Sequence, residues 1–258
     1  MPIHFKPLQA LAAVTLTAAL GLLGAPAHAW DWSPTSRIAG SGQITTTQRQ
    51  VTGFKGIALD VPARVVIVQG DSEGVLIETD DNITPLIETV VENDQLKIRL
   101  AQRFTSIRPK SLKITVNARQ IESLSISGSG DIQSGQIKSN SLSTRIAGTG
   151  EVRVTKLDVD NLSVSIAGNG DFSAGGRADS VRSSISGSGD IKTSTLTAKT
   201  VKLSIAGSGN AQVWASQGLT ISIAGSGDVS YYGDAAVTQS VAGSGRIKKL
   251  GSAPAAGT

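Results

Sequence analysis

The chain has no cysteine, and its two histidines and single methionine (His4, His28 and Met1) all fall within the first 29 of its 258 residues. If that leading segment is removed, what remains holds no cysteine, histidine or methionine. Disulfide staples, thiolate zinc sites and thiol redox chemistry are then excluded, so stability in an oxidising compartment must come from the fold itself. Ser-His-Asp and Cys-His nucleophilic sites and histidine-ligated metals are excluded with them. The catalytic repertoire left is paired carboxylates, or Lys, Arg and Tyr acting as bases. Aromatic residues make up 3% of the chain. Charge is nearly balanced, with 24 Lys and Arg against 20 Asp and Glu and no dense basic stripe, so nucleic acid is not an expected partner. No cofactor and no catalytic residue is expected.

What the sequence does contain begins with a secretory signal over residues 1–29. Lys6 gives a positive start, and Leu8 to Leu23 is an apolar run interrupted only by Gln9, Thr15, Thr17 and Gly21. Ala27-His28-Ala29 follows Pro26 as a small-x-small cleavage site, so cleavage is expected after Ala29. The run is short for a spanning helix, which needs ~20 apolar residues. The chain is therefore not expected to be an integral membrane protein after cleavage. Residues 30–37 read as a linker.

The second feature is a repeat. "GSGD" and its variants begin at Gly128, Gly148, Gly168, Gly187, Gly207, Gly225 and Gly243, at intervals of 20, 20, 19, 20, 18 and 18 residues. A fixed period of this length is the signature of a solenoid. Two residues before each first glycine stand Ile126, Ile146, Ile166, Ile185, Ile205, Ile223 and Val241; four after it stand Ile132, Val152, Phe172, Ile191, Ala211, Val229 and Ile247. Apolar and polar residues alternate into the glycines, as in "LSVSIAG", which is the period of a half-buried strand. Each copy then reads as one coil of a parallel β-solenoid, with strands of successive coils ~4.8 Å apart and like side chains meeting in columns. A single coil has no partner for its apolar edge, which explains the repetition. The glycines mark corners, where positive φ and close stacking favour a missing Cβ. Ser, Thr149 or Asn169 between them is expected to bond its side chain to nearby backbone. An earlier Gly-Ser-Gly at Gly40 suggests that the same device opens the domain.

The residue after each corner is Asp131, Glu151, Asp171, Asp190, Asn210, Asp228 or Arg246. Stacked, these make a carboxylate column in which neighbours ~4.8 Å apart repel by ~0.9 kcal/mol in bulk water. Calcium on Asp131, Glu151, Asp171, Asp190 and Asp228 would relieve that. So would capping of backbone N–H groups with dilution by Arg153, Lys192, Asn210 and Arg246, and one turn phrase per ~20-residue coil is unlike the nonapeptide of calcium-binding β-rolls. Residues 38–119 are less regular but still read as strands, with turns at "QGDSEG" (Gln69–Gly74) and "VENDQ" (Val91–Gln95). "DDNITPLIETVV" reads as a short helical turn capped by Asn82. This half is expected to supply longer, irregular coils that lead into the regular ones at 120–250. Residues 251–258 are expected to be a disordered tail.

Three strings carry a resemblance: "GSGQITTTQRQVTGFKGIALDVPARVVIVQG", "IETDDNITPLIETVVENDQLKIRL" and "SISGSGDI". Over Ile38–Lys249 the chain resembles the head GIN domain family of autotransporter adhesins. The resemblance implies an all-β, right-handed parallel β-helix in exported bacterial proteins, a surface or adhesive role, and no established catalytic residue. Autotransporters end in a membrane barrel of alternating ~10-residue strands; this chain ends in "GSAPAAGT". Export is therefore expected to rely on other machinery, placing the protein in the periplasm or at the cell surface.

The leading functional expectation is a non-enzymatic envelope module that presents a Ser-, Thr-, Lys- and Gln-rich β-face to a cell-surface glycan or another envelope protein. Trp214, Tyr231 and Tyr232 are the candidate ligand contacts; their other reading is that they cover the end of the core. The alternative is a carbohydrate-active β-helix lyase or hydrolase that uses stacked carboxylates such as Asp171 and Asp190. A third is a structural module that assembles end to end through unpaired edges.

Overall fold

The glycine corners line up. In a computed structural model, which describes residues 37–102 and 106–254, Gly128, Gly148, Gly168, Gly187, Gly207, Gly225 and Gly243 are successive register partners. The signal segment, its cleavage site at Ala29 and the last four residues lie outside the described residues, as does all of the linker but Arg37.

In chain order the front half holds β1 (Arg37–Ala39), β2 (Ile44–Arg49), β3 (Gly56–Leu59), β4 (Arg64–Gln69) and β5 (Gly74–Asp80). A 3-10 turn at Thr84–Leu86 follows, then β6 (Ile87–Glu92), β7 (Gln95–Leu100), β8 (Ser106–Arg108) and β9 (Leu112–Ala118). The repeats hold β10 (Ser123–Gly128), β11 (Asp131–Gly148), β12 (Glu151–Gly168), β13 (Asp171–Gly187), β14 (Asp190–Gly207) and β15 (Asn210–Gly225). β16 (Val229–Tyr232), β17 (Ala236–Gly243) and β18 (Ile247–Gly251) complete the last laps. The result is an all-β solenoid of about six turns. From β11 to β15 each strand is a whole lap, broken only at its corner, and pairs in parallel with the laps before and after.

The pre-glycine isoleucines meet as Ile126, Ile146, Ile166, Ile185, Ile205 and Ile223, all buried. Each contributes ~1.5–3 kcal/mol by burial. The corner is held by backbone rather than by the middle side chain. The amide of Thr149 donates to Gly128 O, Asn169 to Gly148 O, Ser188 to Gly168 O and Ser208 to Gly187 O, each at 2.9 Å. That ladder explains both glycines. Gly207 has φ +134°, and a Cβ there would overlap the carbonyl oxygen of Gly187; at Gly209 a Cβ would overlap Gly189 O and stand 2.8 Å from Ile185 Cγ2.

The front half differs from the expected run of irregular coils. β3 and β4 make the lap next to β10 and β11, yet the lap beyond it is built by the later strands β7 and β9. The chain therefore lays down the outer lap after the inner one and then returns. Three antiparallel pairings, β2 with β5, β5 with β9 and β6 with β7, finish the end. Both expected turns are present: Gln69 and Gly74 bracket the β4–β5 turn, and Asn93 and Asp94 turn β6 into β7 with φ of 52° and 59°. Arg49 seals this end by donating to Ile87 O at 2.6 Å, Thr89 Oγ1 at 3.1 Å and Thr84 O at 3.0 Å. Burial pushes its guanidinium below the ordinary arginine value. Asn82 does not cap the helical turn, whose N-cap is Ile83. Its amide instead ties β1 down, accepting from Ser41 N at 2.9 Å and donating to Ala39 O at 2.8 Å.

The first Gly-Ser-Gly is likewise not a corner of the stack. Gly40 and Gly42 close over the carboxylate of Asp80, whose accessible surface is 0%. Gly42 N donates to Asp80 Oδ1 at 2.7 Å and Lys110 N to Oδ2 at 2.8 Å, and a Cβ on Gly40 would fall on the carboxylate. Burial raises the Asp80 carboxyl, but backbone donors from Gly42, Lys110, Asp80 itself and Ser111 outweigh it, and the group lies below its ordinary value.

Candidate binding surface

The column after the corners is stacked as expected, but its members are already engaged. Glu151 N donates to Asp131 Oδ1 at 3.3 Å, Asp190 N to Asp171 Oδ1 at 3.1 Å and Asn210 N to Asp190 Oδ1 at 3.2 Å. Asp228 N bonds Asn210 Oδ1 at 3.2 Å, and Arg246 N bonds Asp228 Oδ1 at 3.0 Å. The second oxygens meet cations: Lys192 Nζ lies 3.3 Å from Asp171 and 3.4 Å from Asp190, and the Arg246 guanidinium is 2.6 Å from Asp228. Glu151 is paired with Arg153. The hydrogen bond and charge of Arg246 hold the Asp228 carboxyl below its ordinary value against desolvation. Among the described residues no group of three or more acidic side chains converges on a point that would hold a metal ion. Asp171 and Asp190, the candidate catalytic pair, share Lys192 between them.

Of the three aromatic candidates, Trp214 and Tyr232 are brought side by side as register partners on neighbouring laps. Tyr231 is separated from them, because it stacks on buried Val213 and packs against the core near the end of the stack.

A different surface is more distinctive. The strands that lead into the corners expose Ser123, Ser143, Ser163, Arg182, Lys202 and Thr220 in one outward row. The parallel row holds Ser125, Arg145, Ser165, Ser184, Ser204 and Ser222. Neither row contains a carboxylate. Arg182 and Lys202 are direct register partners, and among the described residues neither they nor Arg145 has an acidic partner. Like charges set directly opposite on adjacent strands are destabilising. A shallow hollow of about 280 Å³ lies over this pair, lined by Ser163, Ser165, Arg182, Ser184, Lys202 and Ser204. Ser183, whose hydroxyl is buried with no hydrogen-bond partner, also borders it. Sequence reasoning had the polar face but missed these cations. The available signal was that Arg182 and Lys202 both stand five residues before a corner glycine, an outward slot that elsewhere holds Ser or Thr.

Comparison with known proteins places this architecture. Residues 53–235 match the family described as "Putative auto-transporter adhesin, head GIN domain", and the chain belongs to that family. It is similar to a solved putative adhesin from Bacteroides fragilis, at 25% identity and a TM-score of 0.77, with 83% of this chain and all of that one covered. It is similar to a putative lipid binding protein from Parabacteroides distasonis at 28% identity and a TM-score of 0.68, over 83% of this chain and all of that one. A putative adhesin from Parabacteroides merdae shares the fold at 21% identity and a TM-score of 0.63, over 83% of this chain and 99% of that one. No curated protein matches. No helix among the described residues is long and apolar enough to cross a membrane.

Proposed function

We propose that this protein is a non-enzymatic binding module of the bacterial envelope, exported by its leading segment, and that it holds an acidic glycan on its Ser/Thr face. The observation that carries the reading is the unpaired Arg182–Lys202 couple, with Arg145 nearby, in a flat field of hydroxyls that contains no carboxylate. Two adjacent cations without counter-ions cost stability, and an anionic ligand turns that cost into affinity. The serines around them supply donors and acceptors without steric relief, which suits a long polar chain lying across several laps. Membership of a family described as adhesins supports the same reading.

The test is binding of the purified protein to immobilised acidic and neutral polysaccharides of equal length, over a range of salt. Acidic polymers are expected to bind, more weakly as salt rises, and Arg182→Ser with Lys202→Ser is expected to abolish it. The name of one structural neighbour makes vesicles of anionic lipid a useful second arm; retention on vesicles but not on acidic glycans would overturn the glycan reading. Breakdown of any polysaccharide, lost in Asp190→Asn, would favour the enzyme instead.

A further inference from the structure

The two ends of the stack are finished differently. At the front end, antiparallel strands and the Arg49 guanidinium close the last lap. At the far end, β17 pairs only with β15, and its other edge carries no partner among the described residues. The side chains that continue the core columns are open there: Val237, over Leu219, is 38% exposed and Val241, over Ile223, is 42% exposed. Such an edge is normally blunted by a charge, a proline or a bulge. β18 carries Lys248 and Lys249, but Ala236–Gly243 reads "AVTQSVAG" and has none of these.

That strand is nearly a palindrome. About Gln239, Thr238 mirrors Ser240, Val237 mirrors Val241 and Ala236 mirrors Ala242. Gln239 itself breaks the pattern of its column, where the earlier laps carry Leu124, Thr144, Val164, Ser183, Leu203 and Ile221. We infer that β17 is a self-complementary edge, and that two copies of this protein join end to end by antiparallel pairing of β17 with β17 about a two-fold axis at Gln239. Cross-strand partners lie on the same face of a sheet. The rotation therefore sets Val237 of each copy against Val241 of the other and joins the two cores, while the two Gln239 amides bond to each other at the axis. The strand is uncharged, so no repulsion arises within the pair.

The area is sufficient. A lap of 18 residues at ~3.3 Å each runs ~60 Å around and encloses roughly 250 Å², and the strand thickness adds about as much again. With the whole end of the lap engaged the joint buries at most about 1,000–1,200 Å² in total, the lower edge of specific interfaces. With the lysines of β18 opposing it on the other side of the lap, a micromolar dimer is expected. The front edges, β2 and β6, carry Arg49, Glu88 and Glu92 and have no copy of the β17 sequence, so the contact is isologous and stops at two copies rather than growing a filament.

Sedimentation of the purified protein over a range of concentrations tests this, with single-cysteine variants made simple by the lack of native cysteine. A monomer–dimer equilibrium is expected. Val237→Glu should weaken it at least tenfold, and adding Val241→Lys should restore it, because those two positions face each other across the axis. Under mild oxidation Gln239→Cys should cross-link to itself, whereas Thr238→Cys, which faces Ser240 of the second copy, should not. A protein that stays monomeric up to about 100 µM, some two decades above the micromolar affinity expected, would overturn the inference. So would a dimer indifferent to Val237→Glu, or equal cross-linking at positions 238 and 239. The cross-linking comparison decides the matter even if Val237→Glu impairs folding.

Discussion

Arg182 and Lys202 stand directly opposite one another on neighbouring laps, and among the described residues neither has an acidic partner. The like-charged register partners Asp171 and Asp190, by contrast, share Lys192 between them. The unresolved pair sits on the face we assign to ligand binding, and the two facts make a joint prediction. Replacing Arg182 with Ser is expected to raise stability by a few tenths of a kcal/mol, up to about 1, while binding to an acidic polymer falls. Thermal melts beside binding isotherms check it; loss of both would mean that Arg182 is structural.

Corner glycines differ from other glycines. Gly207→Ala must accept positive φ and overlap Gly187 O, and is expected to cost on the order of 2–5 kcal/mol. Gly218→Ala, on the next lap, meets only Thr200 Cγ2 at 3.7 Å and has no positive φ. It is expected to be neutral or to stabilise by about 0.4–1 kcal/mol. Denaturant unfolding of the two variants separates the cases.

Asp80 makes stability depend on pH. Its carboxyl is lower in the folded state than in the unfolded chain, so the unfolded chain takes up the proton first as pH falls. The contribution of the group is full above about pH 4, the ordinary carboxylate value, and is lost as pH drops through the folded value. Asp80→Asn places an amide donor against the N–H of Gly42 or Lys110. The variant is expected to melt well below the parent at pH 7, with the gap narrowing as pH falls below about 4. A gap that does not change with pH would show that geometry, not charge, is what Asp80 supplies.

Chelation of divalent cations is expected to leave the melting temperature unchanged. The carboxylates of the corner column already accept backbone N–H groups or pair with Lys and Arg. A rise of several degrees on adding calcium would show instead that the column takes a metal.

The repeats were legible because the periodicity that builds them is written in the sequence itself. Aligning residues on their glycines gave the isoleucine column, since each lap meets a near-copy of itself in the same register. The front half resisted the same treatment. Strand signals in "GIALDV" and "QLKIRL" are local, and nothing local says that the second is laid outside the first. The Gly-Ser-Gly at Gly40 looked like another corner because its partner, Asp80, is distant in sequence and reads as an ordinary acid in a turn. Arg49 carried no signal, because a buried guanidinium that satisfies backbone carbonyls has the same one-letter context as a surface one. The binding face was half visible: its hydroxyls were, but two cations separated by 20 residues become a pair only once the laps are stacked.

From β12 to β14 each lap pairs only with the one laid before it and the one laid after it. No strand pairing among them skips a lap. A gene that gains or drops one complete period therefore alters the height of the tower and nothing else about how its floors are joined. Reach, in such a molecule, can change across generations without redesign.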